Sequence, residues 1–318
     1  MSIDVLCLGG TSIDLIQNPK NISIIFRASV GGSVTNTAII CAKLGLKTAM
    51  LSRIGKDPLG DFAVRFLGSC GVATSGIAQD PNIRTPIAIA NIDKRGNSKY
   101  TFYKNTSLES IVCLKDALKK PLNNCKILHF GSSFSFQKES SIEALKYVKY
   151  LKKRRVFISF DPNLRPYTIK DKKGARKRVL GLLKWVDLVK ISDLDLEFLT
   201  GQKDPKKGLK RLKKLTNCET ILTLGAKGSV RMDNHGNFTK APAFKVKIAD
   251  TIGAGDAFTA GLLYRLNKIG KRRFFGNIKT HLIFASAVSA IICTKQGANK
   301  GLKNIKQVKT FLAKHRSR

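Results

Sequence analysis

Short apolar runs alternate with stretches of helical spacing along most of this chain, and that alternation limits the fold more than any other feature. Ile3 to Gly9, Thr48 to Ile54, Lys126 to Phe130, Val156 to Phe160, Leu188 to Ile191 and Thr220 to Leu224 read as buried strands. Between them, Thr37 to Leu44, Gly60 to Leu67, Ile142 to Leu151, Lys177 to Trp185, Leu194 to Leu199 and Gly208 to Leu215 place apolar residues at helical intervals. Strands separated by helices in this way predict an α/β fold, a doubly wound and mostly parallel sheet flanked by helices. Pro86 to Ile92 and Tyr100 to Tyr103 break the pattern and read as a hairpin about Asp93–Asn97. The C-terminal third is predicted helical over Ala254 to Leu266, His281 to Cys293 and Ile305 to Ala313. No internal repeat, low-complexity tract or Pro-rich linker interrupts residues 1–318, so a single domain is expected.

Composition removes several classes. With 43% apolar residues the chain has enough material for a core. Its longest uncharged apolar run, Leu282 to Cys293, falls short of the roughly 20 residues a membrane helix needs. The opening MSIDVLCLGG has no basic stretch before an apolar one, so no secretory leader is expected and a cytoplasmic location is. The seven cysteines are widely spaced with no C-x-x-C, which predicts free thiols, and the four histidines have no ligand spacing. The 58 Lys and Arg exceed the 21 Asp and Glu by 37, and no acidic residue follows Asp256. A polyanion partner would need such charge. However, the excess is spread over the whole chain and its dense stretches lack interleaved aromatics. Biased surface composition is the simpler reading, and neither nucleic acid nor membrane is expected as a partner.

The most informative segment is Asp250-Thr251-Ile252-Gly253-Ala254-Gly255-Asp256. A bare Gly-Ala-Gly turn opening an apolar helix aims unpaired amides at one point, beside the positive end of the helix dipole; this makes an anion site. Asp256 stands at the same mouth. It is either the helix cap or a base that accepts a hydroxyl proton while the amides stabilise a transferring phosphoryl group. The chain has no G-x-x-x-x-G-K-[ST] and no protein-kinase catalytic loop, and Gly253-x-Gly255 lacks the third glycine of a dinucleotide fingerprint.

These residues carry a resemblance. Asp250-Thr251 with Gly253-Ala254-Gly255-Asp256 is similar to the C-terminal signature of the ribokinase-like (PfkB-type) sugar kinases. Gly31-Gly32-Ser33-Val34-Thr35-Asn36-Thr37-Ala38 looks like their N-terminal signature. Gly55-Lys56-Asp57-Pro58-Leu59-Gly60 and Thr223-Leu224-Gly225-Ala226-Lys227-Gly228 match two further motifs in order. Phe102-Tyr103-Lys104-Asn105, Asp161-Pro162-Asn163-Leu164-Arg165 and Lys190-Ile191-Ser192-Asp193 resemble the fructokinase branch.

The resemblance implies a ribokinase-like fold whose small β lid is formed near residues 11–30 and 84–105, and an ATP-dependent sugar kinase acting on fructose. Asp256 would be the general base, and the amides of Gly253, Ala254, Gly255 and Asp256 the anion hole, with Arg165 at the transferring phosphate. Asp14, Gly31, Gly32, Asn36 and Tyr103 would bind the sugar, with Lys104 near them. Ser192, Thr223, Gly225, Lys227, Gly228 and Gly255 would bind nucleotide. Asp250 and the carbonyl of Ile252 match positions holding a monovalent cation such as K⁺, and Asp195 would reach Mg²⁺ through water. Two departures stand out. The usual N-x-x-E reads Ser192-Asp193-Leu194-Asp195, and position 285, often an asparagine near the adenine, is alanine. Ketodeoxygluconate, ribose and nucleosides stay open as substrates, as does a non-catalytic polyanion-binding module on the same fold. A homodimer through the lid hairpins is also left open.

Overall fold

The computed structural model describes residues 2–17, 26–92, 98–103, 112–113, 117, 124–233 and 235–316. Strand β1 (Ile3–Leu8) leads to β2 (Ser12–Gln17) and β3 (Phe26–Gly31), then α1 (Ser33–Lys43), β4 (Thr48–Gly55) and α2 (Pro58–Ser69). Next come β5 (Val72–Ala73), β6 (Ile77–Asp80), β7 (Ile87–Ile92), β8 (Ser98–Tyr103) and β9 (Cys125–Gly131). Helices α3 (Ser133–Phe136) and α4 (Lys138–Lys153), strand β10 (Phe157–Asp161), α5 (Lys172–Leu183) and β11 (Leu188–Ser192) follow. The remainder is α6 (Asp193–Thr200), α7 (Pro205–Lys213), β12 (Glu219–Thr223), β13 (Ser229–Met232), β14 (Phe238–Ala241), α8 (Ala254–Gly276), α9 (Ile278–Cys293) and α10 (Ile305–Arg316).

The large sheet runs β14-β13-β12-β11-β10-β9-β1-β4-β5, with β6 also on β4. It is parallel from β12 to β5, and β13 and β14 close one edge antiparallel. The alternation of each strand divides the core in two. Leu6, Leu8, Leu128, Phe130, Val189 and Ile191 face α4, α5, α6 and α7, where the Phe130 and Phe160 rings stack at 4.5 Å. Val5, Cys7, Ile127 and Leu188 face α1, α8 and α9. Both faces are covered, as a doubly wound sheet requires.

The six parallel-strand expectations all lie in this sheet, with ends moved by a residue or two. The helices run longer than their apolar stripes, and in α2, α5 and α7 a side-chain cap fixes the added first turn. Asp57 starts α2 by accepting from the Gly60 amide at 2.8 Å, and Asp171 and Asp204 do the same for α5 and α7. Asp57 also accepts from the Thr85 amide and hydroxyl at 2.8 and 2.7 Å. The Gly55-to-Gly60 motif therefore fastens α2 to the chain entering β7, a structural duty.

A second sheet, β3-β2-β7-β8, contains the expected hairpin as the antiparallel pair β7 and β8. The turn at 93–97 and Lys104 lie outside the described residues. Ile13 and Val30 bury this sheet against Ile54 and Ala63, on β4 and α2. Cys7, Cys41, Cys125, Cys218 and Cys293 are buried, Cys70 and Cys113 are not, and all seven are free thiols. No helix among the described residues is long and apolar enough to cross a membrane.

Candidate active site

Two helices begin at one place. Gly32 precedes α1 at φ 105° and Gly253 precedes α8 at φ 78°; neither first turn has a side-chain cap. These are left-handed or related conformations that glycine adopts without steric cost. Asp256, in the first turn of α8, bridges the two helices. Its carboxylate accepts from Ser33 Oγ at 2.7 Å and from Asn36 Nδ2 at 2.9 Å. Asp256 thus does not serve α8 as its cap. Among the described residues the amides of Gly255 and Asp256 have no protein acceptor, which leaves the anion site free.

Burial is the main reason the Asp256 carboxyl is pushed up to about 6. The nearby charge of Asp161 adds to it, while Ser33, Asn36 and Lys190 oppose it. Asp14, on β2, is pushed up to about 6 as well. Burial again leads and the Asp256 charge adds, against Ser12 and the Arg165 guanidinium. The Asp14 carboxyl lies over the backbone of Gly31, where a methyl group would overlap it. Asn36 keeps a buried Oδ1 with no partner, an acceptor available to a hydroxyl. One small region therefore offers two carboxylates that titrate near neutrality, a free amide oxygen and bare glycine backbone, a set suited to a polyol.

On the other side of Gly255 is a cavity of about 420 Å³. Thr223, Gly225, Ala226 and Gly228 line one wall, and Ser286, Ser289, Ala290 and Cys293 of α9 another. Phe244 and Ile248 cover it, and Thr251, Ala254 and Gly255 form its inner end. Ser289 Oγ donates to the Ala254 carbonyl at 2.9 Å and holds α9 to the glycine turn. A mostly apolar slot that ends on bare amides accommodates a base at one end and phosphates at the other.

Most expected residues meet here, and several sit elsewhere. Lys227 is exposed in its turn and is not part of the cavity wall. Tyr103 is 58% exposed, and it is its neighbour Phe102, on the other face of β8, that lies 5.9 Å from the Arg165 guanidinium. Ser192 and Asp195 form a capping box at the start of α6. Asp195 accepts from the Ser192 amide and hydroxyl at 2.8 and 2.7 Å and from the Leu164 amide at 2.7 Å. It is 1% exposed and held against the start of its own helix. Ala285 packs against Gly261 between α8 and α9, so Ser286 and Ser289 are the positions that face the cavity.

Asp250 is 1% exposed, and its carboxylate accepts, among the described residues, from two neutral amides, Ile252 N at 2.8 Å and Gly297 N at 2.9 Å. No cationic side chain pairs with it among the described residues. A buried, unbalanced carboxylate of this kind fits a monovalent cation.

Sequence reasoning missed the ion pair of Lys190 and Asp161, whose Nζ–Oδ2 distance is 2.7 Å and whose side chains are 7% and 2% exposed. It also missed Phe244 and Ile248, which lie in an irregular segment with no motif to mark it.

The pfkB family carbohydrate kinase model matches residues 2–305. The chain belongs to that family. Among curated relatives, fructokinase-1 of Zea mays is 29% identical over 322 residues, covering 98% of both chains. The fructokinase of Vibrio cholerae, solved with fructose, ADP and calcium ion, superposes at TM-score 0.87 with 28% identity, covering 98% of this chain and 99% of that one. A double mutant of that enzyme with fructose, ADP and potassium ion gives 0.85 at 27%, covering 98% and 99%. As a pfkB-family kinase the chain transfers phosphate to a sugar hydroxyl, and its sheet, helices and second small sheet are those of the ribokinase-like fold.

With sugar bound at Asp14, as the resemblance implies, Gly31→Ala should report on the sugar side alone. The added methyl displaces the Asp14 carboxyl and with it a charged hydrogen bond. KM for the sugar should rise by roughly 10-fold or more, with KM for ATP little changed. Steady-state kinetics with each substrate varied in turn would measure this.

Proposed function

We propose that this kinase transfers the γ-phosphate of ATP to a hydroxyl of fructose. The observation that carries the reading is the placement of Asp256. It is bonded by Ser33 and Asn36 on the polyol side and shares its helix turn with the amides that end the cavity of about 420 Å³. Nucleotide would lie along Thr223, Gly225, Gly228 and Ser289, with its terminal phosphate at Gly255. The sugar would lie between Asp14, Gly31, Gly32 and Asn36, with Arg165 above them on the Phe102 side.

Asp256 then accepts the hydroxyl proton as the oxygen attacks, and the amides of Gly255 and Asp256 stabilise the charge on the phosphoryl oxygens, the Ala254 amide being engaged by the Thr251 carbonyl at 3.2 Å. The small sheet, carrying Asp14 and Phe102, excludes water from the sugar, which limits ATP hydrolysis. Mg²⁺ would arrive with the nucleotide and supply neutralisation of its phosphate charge. Asp250 and the Ile252 carbonyl would hold K⁺ and balance the buried carboxylate behind the glycine turn. Fructose is favoured by the names of the relatives at 28 and 29% identity.

A coupled assay of ADP release with Mg-ATP and K⁺ would test this against fructose, ribose, ketodeoxygluconate, fructose 6-phosphate and adenosine. The expected result is kcat/KM on fructose well above the rest. A clear preference for another sugar would replace the substrate and keep the kinase. No turnover with ATP still bound would favour a non-catalytic polyanion-binding role for the +37 chain.

A further inference from the structure

A second cavity shares a wall with the apolar slot that ends at Gly255. Its volume is about 410 Å³, and Arg265 of α8, Ile283 and Phe284 of α9, and Leu312 and His315 of α10 line it. Protein interiors leave few voids larger than a water molecule, so a hollow of this size among three helices calls for a cause. Phe244 is the one described residue that belongs to both cavities.

Arg265 gives the second cavity its chemistry. Among the described lining residues it alone carries a permanent charge. Its Nε donates to His281 Nδ1 at 3.1 Å, and its guanidinium carbon lies 5.5 Å from the centre of the Phe284 ring. Burial and the Arg265 charge both hold the His281 imidazole below its ordinary pKa, so it stays the neutral acceptor this bond requires. A guanidinium has five N–H donors, and among the described residues the bond to His281 uses one of them. No acidic residue follows Asp256, so the rest of α8, α9 and α10 bring no carboxylate to this charge. Thr280, also on the wall, spends its hydroxyl proton on Asn277 Oδ1 at 3.0 Å. A fixed cation with unspent donors among apolar side chains suits an anion on an apolar body.

Phe244 follows β14 in an irregular segment, and α10 fixes its ring. Phe311 meets it edge-on at 5.2 Å and His315 at 5.4 Å, and those two rings stack on each other at 4.1 Å. His315 Nδ1 donates to the Phe311 carbonyl at 2.8 Å, which holds the trio in register. Successive turns of α9 serve the two cavities. Ile283 and Phe284 face the second, while Ser286 and Ser289 face the first.

We propose that the second cavity binds a small organic anion with a ring-sized apolar body, and that its occupant tightens nucleotide binding through Phe244. The anionic group lies on the Arg265 guanidinium, and the body packs between Phe244, Ile283, Phe284 and Leu312. Two states are coupled: Phe244 over the larger cavity, and Phe244 turned into the second. The anion fits only the first state, because in the other the ring takes its place. Nucleotide favours the same state, so each ligand raises the affinity of the other by one factor. The linkage rests on the nucleotide reading above; the anion site does not.

Calorimetry on the full chain, in about 0.15 M salt to screen its general positive charge, would use indole-3-acetate and phenyl phosphate as probes. Indole is the neutral counterpart, and acetate and inorganic phosphate are the bare anions. At least one aromatic anion should bind, with a Kd about 10-fold or more below those of indole and of its own bare anion. Which of the two binds separates a carboxylate ligand from a phosphate ester. Arg265→Gln should weaken that binding by about 10-fold or more and leave basal phosphotransfer unchanged. Leu312→Trp, which fills the cavity from α10, should abolish it and keeps the test open should Arg265→Gln fail to fold. The bound anion should tighten ADP by about 3-fold or more, ADP should tighten the anion equally, and Phe244→Leu should remove this linkage. Absence of aromatic-anion binding, binding that both Arg265→Gln and Leu312→Trp leave unchanged, or displacement of the anion by ADP would overturn the site. Binding without linkage would overturn the coupling. An ADP affinity indifferent to Phe244→Leu would instead remove the nucleotide reading of the larger cavity and leave the anion site standing.

Discussion

Replacing Asp256 by Asn is expected to lower turnover by at least ~10²-fold while the protein becomes more stable at neutral pH. The amide oxygen can keep one of the two bonds, its NH2 can donate to Ser33 Oγ or to the Oδ1 of a turned Asn36 on the other side, and the group cannot accept a proton. Stability moves the other way because the native carboxyl is raised from 3.8 to about 6. A carboxyl raised by folding costs nothing below its unfolded value. The cost grows between pH 3.8 and about 6 and is fully present above that. A shift of this size corresponds to roughly 1–3 kcal/mol, which the neutral amide recovers, and melting at pH 7.5 should show a higher Tm for the variant. The same carboxyl, acting as the proposed base, should set the pH dependence of the wild type. The rate should climb through pH 6 and level off above 7. Asp14, also pushed up to about 6, titrates in the same range, so the pair should give a limb steeper than a single proton. Asp14→Asn should return that limb to single-proton slope. An unchanged rate in Asp256→Asn would remove the residue from the mechanism.

What the sequence disclosed, and what it hid, follows from how local each demand is. The glycine turns were legible because they state their own backbone requirement. Gly32 and Gly253 sit at positive φ before helices with no side-chain cap, and the residues around them name the anion site without knowledge of the fold. The strands were legible because runs such as Val5 to Leu8 are apolar on both faces. The partners of Asp256 were harder, since Ser33 and Asn36 lie 223 and 220 residues away and only the packing of α1 on α8 brings them in.

Lys190 was hidden in a different way. It is one of 58 basic residues, nearly all of which belong on a solvated surface, and general lysine bias masked the exception. The signal was present nonetheless. Its neighbours Leu188, Val189 and Ile191 require burial, so a lysine between them has to be paired, and Asp161 stands at the end of the adjacent strand. Asp195 was legible in a local duty: Ser192 three residues earlier and an aspartate length fit a capping box, which the structure forms.

Gly253→Ala should be nearly as damaging as loss of the base, though residue 253 contributes no side chain at all. The backbone at this position has φ 78°, which costs an L-residue roughly 1–2 kcal/mol. Space is the second obstacle. A Cβ there would stand 2.5 Å from the carbonyl oxygen of Ala298 and 2.8 Å from its Cα and Cβ. The turn must then move away from the 297–298 loop. That loop is also where the Gly297 amide holds Asp250, so the cation position and the anion site shift together. An anion site displaced by even part of an ångström loses its alignment with the phosphoryl group, and turnover should fall by about 10²-fold or more. The nature of the clash yields a sharper test. Because the nearest atom is a backbone oxygen, trimming the facing side chain with Ala298→Gly should not rescue Gly253→Ala. Recovery of more than about half the lost activation energy in the double variant would mean that the obstacle is the Ala298 methyl and that the backbone here is compliant. Persistent loss, with sugar affinity intact by calorimetry, would place the damage in the phosphoryl step.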